Sequence, residues 1–225
     1  MERRPSSQQP SMRMEAAFIS SVCAGAAIGL GGIVYLRVGG VAGAFLFAVG
    51  MFIVLTRDLQ LFTGRMCRVI AEDLDGLRTL FIVYIGNFIG AGLAGGFATT
   101  VGIADSTALM EAKLAMAQEY GLYVVFLRGV LCNGCIYLSV RGYRALQKRK
   151  DAVGAYIALF LGVAVFILAG GEHCVADMFY FFANGSGLNG AVFAFLGMAT
   201  LGNMAGGFFC ELFSFILEIT EEMAQ

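Results

Sequence analysis

Apolar and charged positions along this chain separate on the scale of whole helices. Charge-free stretches run 21 residues between Glu15 and Arg37, 19 between Arg37 and Arg57, and 26 between Arg78 and Asp105. Further on, 120–140 is interrupted only by Arg128, while 152–171 and 178–210 carry no charge. A bilayer core about 30 Å thick needs about 20 helical residues to cross it. The pattern therefore predicts an all-α membrane protein with six transmembrane helices.

Two of the six runs are broken by polar residues. "TRDLQLFTGRMC" interrupts the second near Asp58 to Gly64, and "GGEHCVADM" interrupts the fifth near Gly170 to Asp177. "GNFIGAGLAGG" from Gly86 in the third run matches "GNMAGGFF" from Gly202 in the sixth. This predicts two inverted three-helix repeats, each with one broken helix. A broken helix frees backbone amides that lipid cannot satisfy, so it persists only where it is buried in protein or lines a cavity. Matching breaks in two halves point to a substrate site near the midplane. The spacing of Gly86 with Gly90, and of Gly202 with Gly206, reads as close helix packing.

No linker or charge block divides the chain. The expected organisation is a cytoplasmic tail over 1–15, a six-helix channel domain over 16–217 and a cytoplasmic tail over 218–225. The opening "MERRPSSQQPSMRME" lacks a small-residue cleavage site after a short apolar core, so it reads as a retained tail.

Composition agrees with the membrane class, at 59% hydrophobic and 14% charged residues, where soluble domains carry about 25% charged. The placement of Lys and Arg adds orientation, because cytoplasmic loops hold the positive excess. Arg3, Arg4 and Arg13 precede the first pass, Arg65, Arg68 and Arg78 lie between the second and third, and five basic residues lie over 141–150. The loop over 103–120 has Lys113 alone, and "NGSGLNG" from Asn184 has none. Both termini are expected in the cytoplasm, with the chain in a bacterial inner membrane. The "NGS" tripeptide, a chance match to a glycosylation acceptor, carries no weight.

Six cysteines fall mostly within predicted passes, where a thiol behaves as a small apolar residue. "CNGC", with Cys132 and Cys135, has redox-motif spacing but lies in mid-helix, so packing is the preferred reading. Neither cofactor nor metal is expected, nor a nucleic-acid partner.

The chemistry concentrates on His173, the chain's one histidine. A bare anion loses costly hydration at an apolar ring, whereas its conjugate acid crosses more cheaply. An imidazole, with a reference pKa of about 6.5, exchanges protons in the physiological range. Intramembrane ionisable residues mark pathways, although an interhelical hydrogen-bonding histidine is the alternative.

In "LFTG" at Leu61 to Gly64, "GNFIGA", "RGVLCN" at Arg128 to Asn133, "GEHCVADM" and "GNMAGG", the chain resembles the formate/nitrite transporter family. The resemblance implies an aquaporin-like protomer in a homopentamer, carrying small monovalent weak-acid anions such as formate, nitrite or hydrosulfide. It also implies two apolar constrictions around a small chamber holding His173. Thr63 and Leu61 match the second-helix loop, and Asn133 the asparagine facing the chamber. Phe47 and Met51 match constriction positions, and Phe62 and Phe166 further pore-lining ones.

In the mechanism these residues suggest, Arg128 and Lys113 draw anions into the vestibules, and Thr63 and Asn133 offer hydrogen bonds. His173 then shares a proton so that neutral acid passes the phenylalanines. Partners are thus the anions, protons and membrane lipids. Glu172 is expected to hold the break open by binding loop amides. Asp177 stands where members of the family carry asparagine. Because it adds negative charge near an anion path, it is expected to be paired, protonated or turned away. Arg128 replaces a lysine and Gly134 a tryptophan, which marks a divergent subgroup.

Other readings fit less. A water channel lacks its "NPA", since the two prolines are Pro5 and Pro10, and an ammonium channel would need paired histidines. A pore of the same fold for a neutral solute or another anion remains open. A membrane enzyme using Cys132, Cys135 and His173 would need a second polar cluster at the same depth, and none is visible.

Overall fold

The computed structural model describes residues 10–67, 74–184 and 189–223, and every regular element among them is an α-helix. In chain order these are α1 (Pro10–Val38), α2 (Gly40–Thr56), α3 (Phe62–Met66), α4 (Leu74–Thr100), α5 (Thr107–Tyr120), α6 (Leu122–Lys148), α7 (Ala152–Leu168), α8 (Cys174–Phe182) and α9 (Gly190–Met223). Arg3, Arg4, Arg68 and Ser186, used above for orientation and for the "NGS" match, lie outside the described residues, as does the side chain of Arg13.

Four helices, α1, α4, α6 and α9, are long and apolar enough to cross a bilayer. The 17-residue α2 and α7 are apolar but shorter, about 26 Å at 1.5 Å per residue. Large apolar side chains point outward along the bundle, among them Leu93, Phe81 and Leu138. Such a surface suits lipid and a neighbouring subunit better than water.

Two differences from the sequence reading concern the polar segments. The stretch over 103–120 is not a simple loop but carries α5, whose Met110 and Ala117 are buried one above the other. It escapes a search for long apolar runs because its outer face is charged. At the other end α9 continues through Glu218, which pairs with Arg141 of α6 at 2.5 Å.

The helix pairs α1 with α4, and α6 with α9, touch backbone to backbone. A methyl group at Gly90 would collide with the Val22 carbonyl, and one at Gly206 with the Val130 carbonyl. Small residues are what permit this approach in a membrane, where dispersion contacts rather than hydrophobic exclusion hold helices together.

α2 and α7 end by the same device. Asp58 takes a left-handed conformation (φ 52°), and the Leu59 amide donates to the Val54 carbonyl at 2.9 Å. Gly170 does likewise (φ 74°), with the Gly171 amide donating to Phe166 at 2.7 Å. This is a Schellman closure, which satisfies carbonyls at the helix end and turns the chain sharply. Glycine makes the second turn without strain, whereas Asp58 carries a Cβ cost of about 1 kcal/mol.

After each turn the chain resumes as a short helix, α3 or α8. One asparagine of the "GN" pairs secures each restart. Asn87 of α4 accepts from the Phe62 amide (2.8 Å) and donates to the carbonyls of Ser21 (2.7 Å) and Gln60 (3.0 Å). Asn203 of α9 accepts from the Cys174 amide (2.9 Å) and donates to those of Gly129 (2.9 Å) and Glu172 (2.7 Å). Both asparagines are fully buried, so the otherwise orphaned first amides of α3 and α8 find partners.

The two halves also meet directly. α8 packs on α4, and α3 on α9. Tyr84 and Thr200, 116 positions apart, share a hydrogen bond of 3.0 Å. Tyr84→Phe is expected to cost about 1 kcal/mol, the usual worth of one such bond. A thermal midpoint in detergent identical to the parent's would show that this bond contributes nothing to holding the halves together.

Candidate functional site

The restart of α8 puts His173 at its N-cap position. Imidazole Nδ1 accepts from the Ala176 amide at 3.2 Å, while Nε2 lies 3.1 Å from Thr63 Oγ1 on α3. A nitrogen that accepts from a backbone N–H carries no proton itself, so the partners assign the neutral ring's proton to Nε2. The ring also stacks on Phe166, 5.9 Å between centroids. The short helix α3 and the start of α8 thus meet at one side-chain pair, both members of which are buried.

On one side of this pair lies a cavity of about 250 Å³, lined in part by His173, Phe47 and Phe166. The rings of Phe47 and Phe166 meet edge to face at 6.3 Å. A smaller cavity of about 40 Å³ is lined in part by Met51, Leu61 and Gly64 and by Arg65 and Arg144. His173 thus borders the larger cavity, and the segment that carries Thr63 borders the smaller one through Leu61 and Gly64.

The larger cavity holds four charged residues. Lys113, brought in by α5, pairs with Glu172 and lies 3.1 Å from Asp177 Oδ1. Its ammonium also lies 5.9 Å from the centre of the Tyr180 ring and 5.6 Å from that of Phe195, within reach of a cation–π attraction. Arg128 Nη1 is 3.8 Å from Glu172 Oε1, and its side chain is 39% exposed where that of Lys113 is 14%. Arg128 is thus the more accessible cation.

α5 is fixed over this cavity at its start. Ser106 donates from its hydroxyl to the Tyr180 carbonyl, and its amide donates to Ala183 at 3.2 Å. Asp105 caps the turn by accepting from the hydroxyl (2.6 Å) and amide (2.8 Å) of Thr107. These bonds, the hydroxyl's foremost, hold the Asp105 carboxyl below its usual range.

Of the residues singled out from sequence, His173, Thr63, Phe47, Phe166, Met51, Leu61, Arg128, Lys113, Glu172 and Asp177 gather around the two cavities. Phe62 does not join them: it borders neither cavity, and its ring packs on Tyr84 at 4.9 Å. Asn133 is buried and braces the bundle, donating to the Asn203 carbonyl at 2.6 Å. The sulfur of Cys67 lies 3.8 Å from Asn133 Oδ1.

Glu172 also differs from expectation, since its carboxylate binds Lys113 instead of loop amides. The physical reason lies in the loop itself, whose amides are already taken. Gly171 donates to Phe166, Glu172 to the Arg128 carbonyl, and Cys174 to Asn203. Asp177 meets the expectation of being paired, with Lys113 as its partner.

Asn87 and Asn203 are functional residues that the sequence reading misses, and their signal is the repeated "GN" of the two matching segments. Cys132 is fully buried and Cys135 partly so, both as free thiols. Among the described residues no three of His, Cys, Asp and Glu cluster as metal ligands.

Comparison with known proteins agrees with this architecture. The family model described as formate/nitrite transporter matches residues 5–216. The formate channel FocA of Haemophilus influenzae is 26% identical over 188 aligned residues, covering 72% of this chain and 64% of the relative. The chain thus spans somewhat less than two thirds of that protein's length.

Two solved structures share the fold. A structure titled FNT family ion channel superposes with a TM-score of 0.77 at 21% identity, covering 92% of this chain and 96% of its own. A pentameric formate channel with formate bound gives 0.72 at 22% identity, covering 94% and 100%. These relatives are channels and transporters, not enzymes, which removes the reading built on Cys132, Cys135 and His173. The chain, helical in every regular element among its described residues, is an integral membrane protein and a member of the formate/nitrite transporter family.

Proposed function

We propose that the chain forms a pore for small monovalent weak-acid anions such as formate, nitrite or hydrosulfide. In this reading α1, the α2–α3 pair and α4 make one three-helix unit, and α6, the α7–α8 pair and α9 make its inverted copy. The six passes then include a broken second and a broken fifth. The protein assembles as a homopentamer in a bacterial inner membrane, with both termini in the cytoplasm and each protomer conducting separately.

The observation that carries this reading is the buried His173–Thr63 pair, with Phe47 and Phe166 beside His173 in one cavity and Met51 and Leu61 in a second beside the segment of Thr63. An anion entering the larger cavity is drawn by Arg128 and, through its shared ion pairs, by Lys113. At the inner end it loses water against Phe47 and Phe166, a loss offset when the anion takes over from Thr63 Oγ1 the hydrogen bond of His173 Nε2–H. Thr63 supplies a hydroxyl on the far side, where Met51 and Leu61 form the second constriction. Asn133 acts by positioning α3 and α9 around this path.

His173 thus meets the anion first as a hydrogen-bond donor. Full proton transfer from Nε2 requires a second proton on Nδ1, and that proton displaces the Ala176 amide from the α8 cap. Proton exchange and loosening of α8 are therefore linked. A panel of formate, nitrite, hydrosulfide, acetate and chloride in proteoliposomes at two pH values tests the proposal. Weak-acid flux that rises as pH falls, with little chloride flux, is expected. Absence of flux for all five would refute the pore.

A further inference from the structure

Asp177 is the charged residue in the larger cavity that the proposed path leaves without a task. Its side chain is 1% exposed and borders the cavity. Neither carboxylate oxygen receives an aligned hydrogen bond. Lys113 Nζ, which donates to Glu172, is the ion-pair partner of Oδ1 at 3.1 Å, so Oδ2 is the oxygen that faces no donor. A buried carboxylate has about four acceptor sites, and leaving them unmet is costly.

The charged and polar groups that share this cavity with Asp177 are Lys113 on α5, Arg128 on α6, Glu172 in the turn, His173 and Tyr180 with α8, and Tyr35 on α1. As carboxylates, Glu172 and Asp177 balance the two cations, so the cavity carries no net charge and a bare anion meets only the local attraction of its cations, chiefly the more exposed Arg128. It offers instead a carboxylate whose Oδ2 lacks a donor. A solute fits this arrangement when it brings its own O–H, with a carbonyl-type oxygen to accept from Arg128.

We propose that Asp177 is a specificity-determining residue, selecting undissociated weak acids over anions that have no protonated form near neutral pH. The inference rests on the weak-acid reading above and adds the residue that sorts the solutes. Nitrate is the informative competitor, being planar and monovalent like formate but the anion of a strong acid. Asp177→Asn leaves one unit of positive charge uncompensated and places an N–H donor where only acceptors stood.

The test measures the ratio of formate to nitrate flux in proteoliposomes for the parent, Asp177→Asn, Asp177→Ser and Asp177→Glu. Both neutral variants are expected to lower the ratio about tenfold, mainly by admitting nitrate, as one unit charge at short range in a partly hydrated cavity implies. Asp177→Glu keeps the charge and is expected to keep the ratio near the parent's.

Parent flux of formate with a ratio unmoved in both neutral variants overturns the inference. An equal fall in Asp177→Glu overturns it as well, since shape and not charge would then decide. Absence of formate flux in the parent instead overturns the weak-acid reading, and with it this one. Elution as an intact oligomer accompanies each variant, and two neutral substitutions keep the test decisive if one fails to fold.

Discussion

Asn203→Ala is expected to unfold about 10 °C below the parent in detergent and to lose its anion flux. The side chain is fully buried and makes three hydrogen bonds, to the Cys174 amide and the carbonyls of Gly129 and Glu172. Each buried group left without a partner costs about 1 to 3 kcal/mol, although partners found in the unfolded membrane state reduce this toward 1. A total of about 3 kcal/mol corresponds to the stated shift for a chain of this size. Flux goes because the freed Cys174 amide is the first of α8, next to His173. Asn87→Ala releases the Phe62 amide in the same way and is expected to resemble it. Parent-like melting and flux in both variants would mean that the restarts hold without their asparagines.

His173→Phe is expected to fold, since a second aromatic ring can stack on Phe166 as the imidazole does. Its flux of formate or nitrite should fall about 100-fold, the worth of one charge-assisted hydrogen bond in a dry site. His173→Asn is the sharper variant. Its carbonyl can cap the Ala176 amide, and its amide can reach Thr63, but it cannot take up a proton. Flux about tenfold below the parent, with its response between about pH 5 and 8 flattened, is the expected outcome. Unchanged flux and pH response in either variant would sink the proton-exchange role.

Much of the architecture was legible because bilayer thickness imposes a length on every crossing element. Both interruptions were also readable, since charge and polar clusters within apolar runs have few physical explanations in lipid. Their bounds were less so. The first was read over Asp58 to Gly64, and α3 in fact resumes at Phe62; the second was read to Asp177, and α8 resumes at Cys174. A short helix that restarts inside an interruption has no sequence period long enough to see.

What stayed hidden shares one cause, dependence on long-range partners. α5 is too polar to stand out as a crossing helix, yet its Lys113 decides the electrostatics of the larger cavity. The task of Glu172 followed from which loop amides were already bonded, and that in turn from Asn203. Phe62 and Thr63 are neighbours in sequence, but only Thr63 turns to the histidine.

The two asparagine clips have a consequence for biosynthesis. Each belongs to the same half of the chain as the interruption it secures: Asn87 joins α4 to α1 and the start of α3, and Asn203 joins α9 to α6 and the start of α8. The first interruption can therefore close as soon as α4 leaves the ribosome, before any of the second half exists. The second waits for α9, the last helix to be made. Since Thr63 and His173 come from different halves, their contact needs both, and under the proposed function a half-finished chain in the membrane is braced but has no completed route through it.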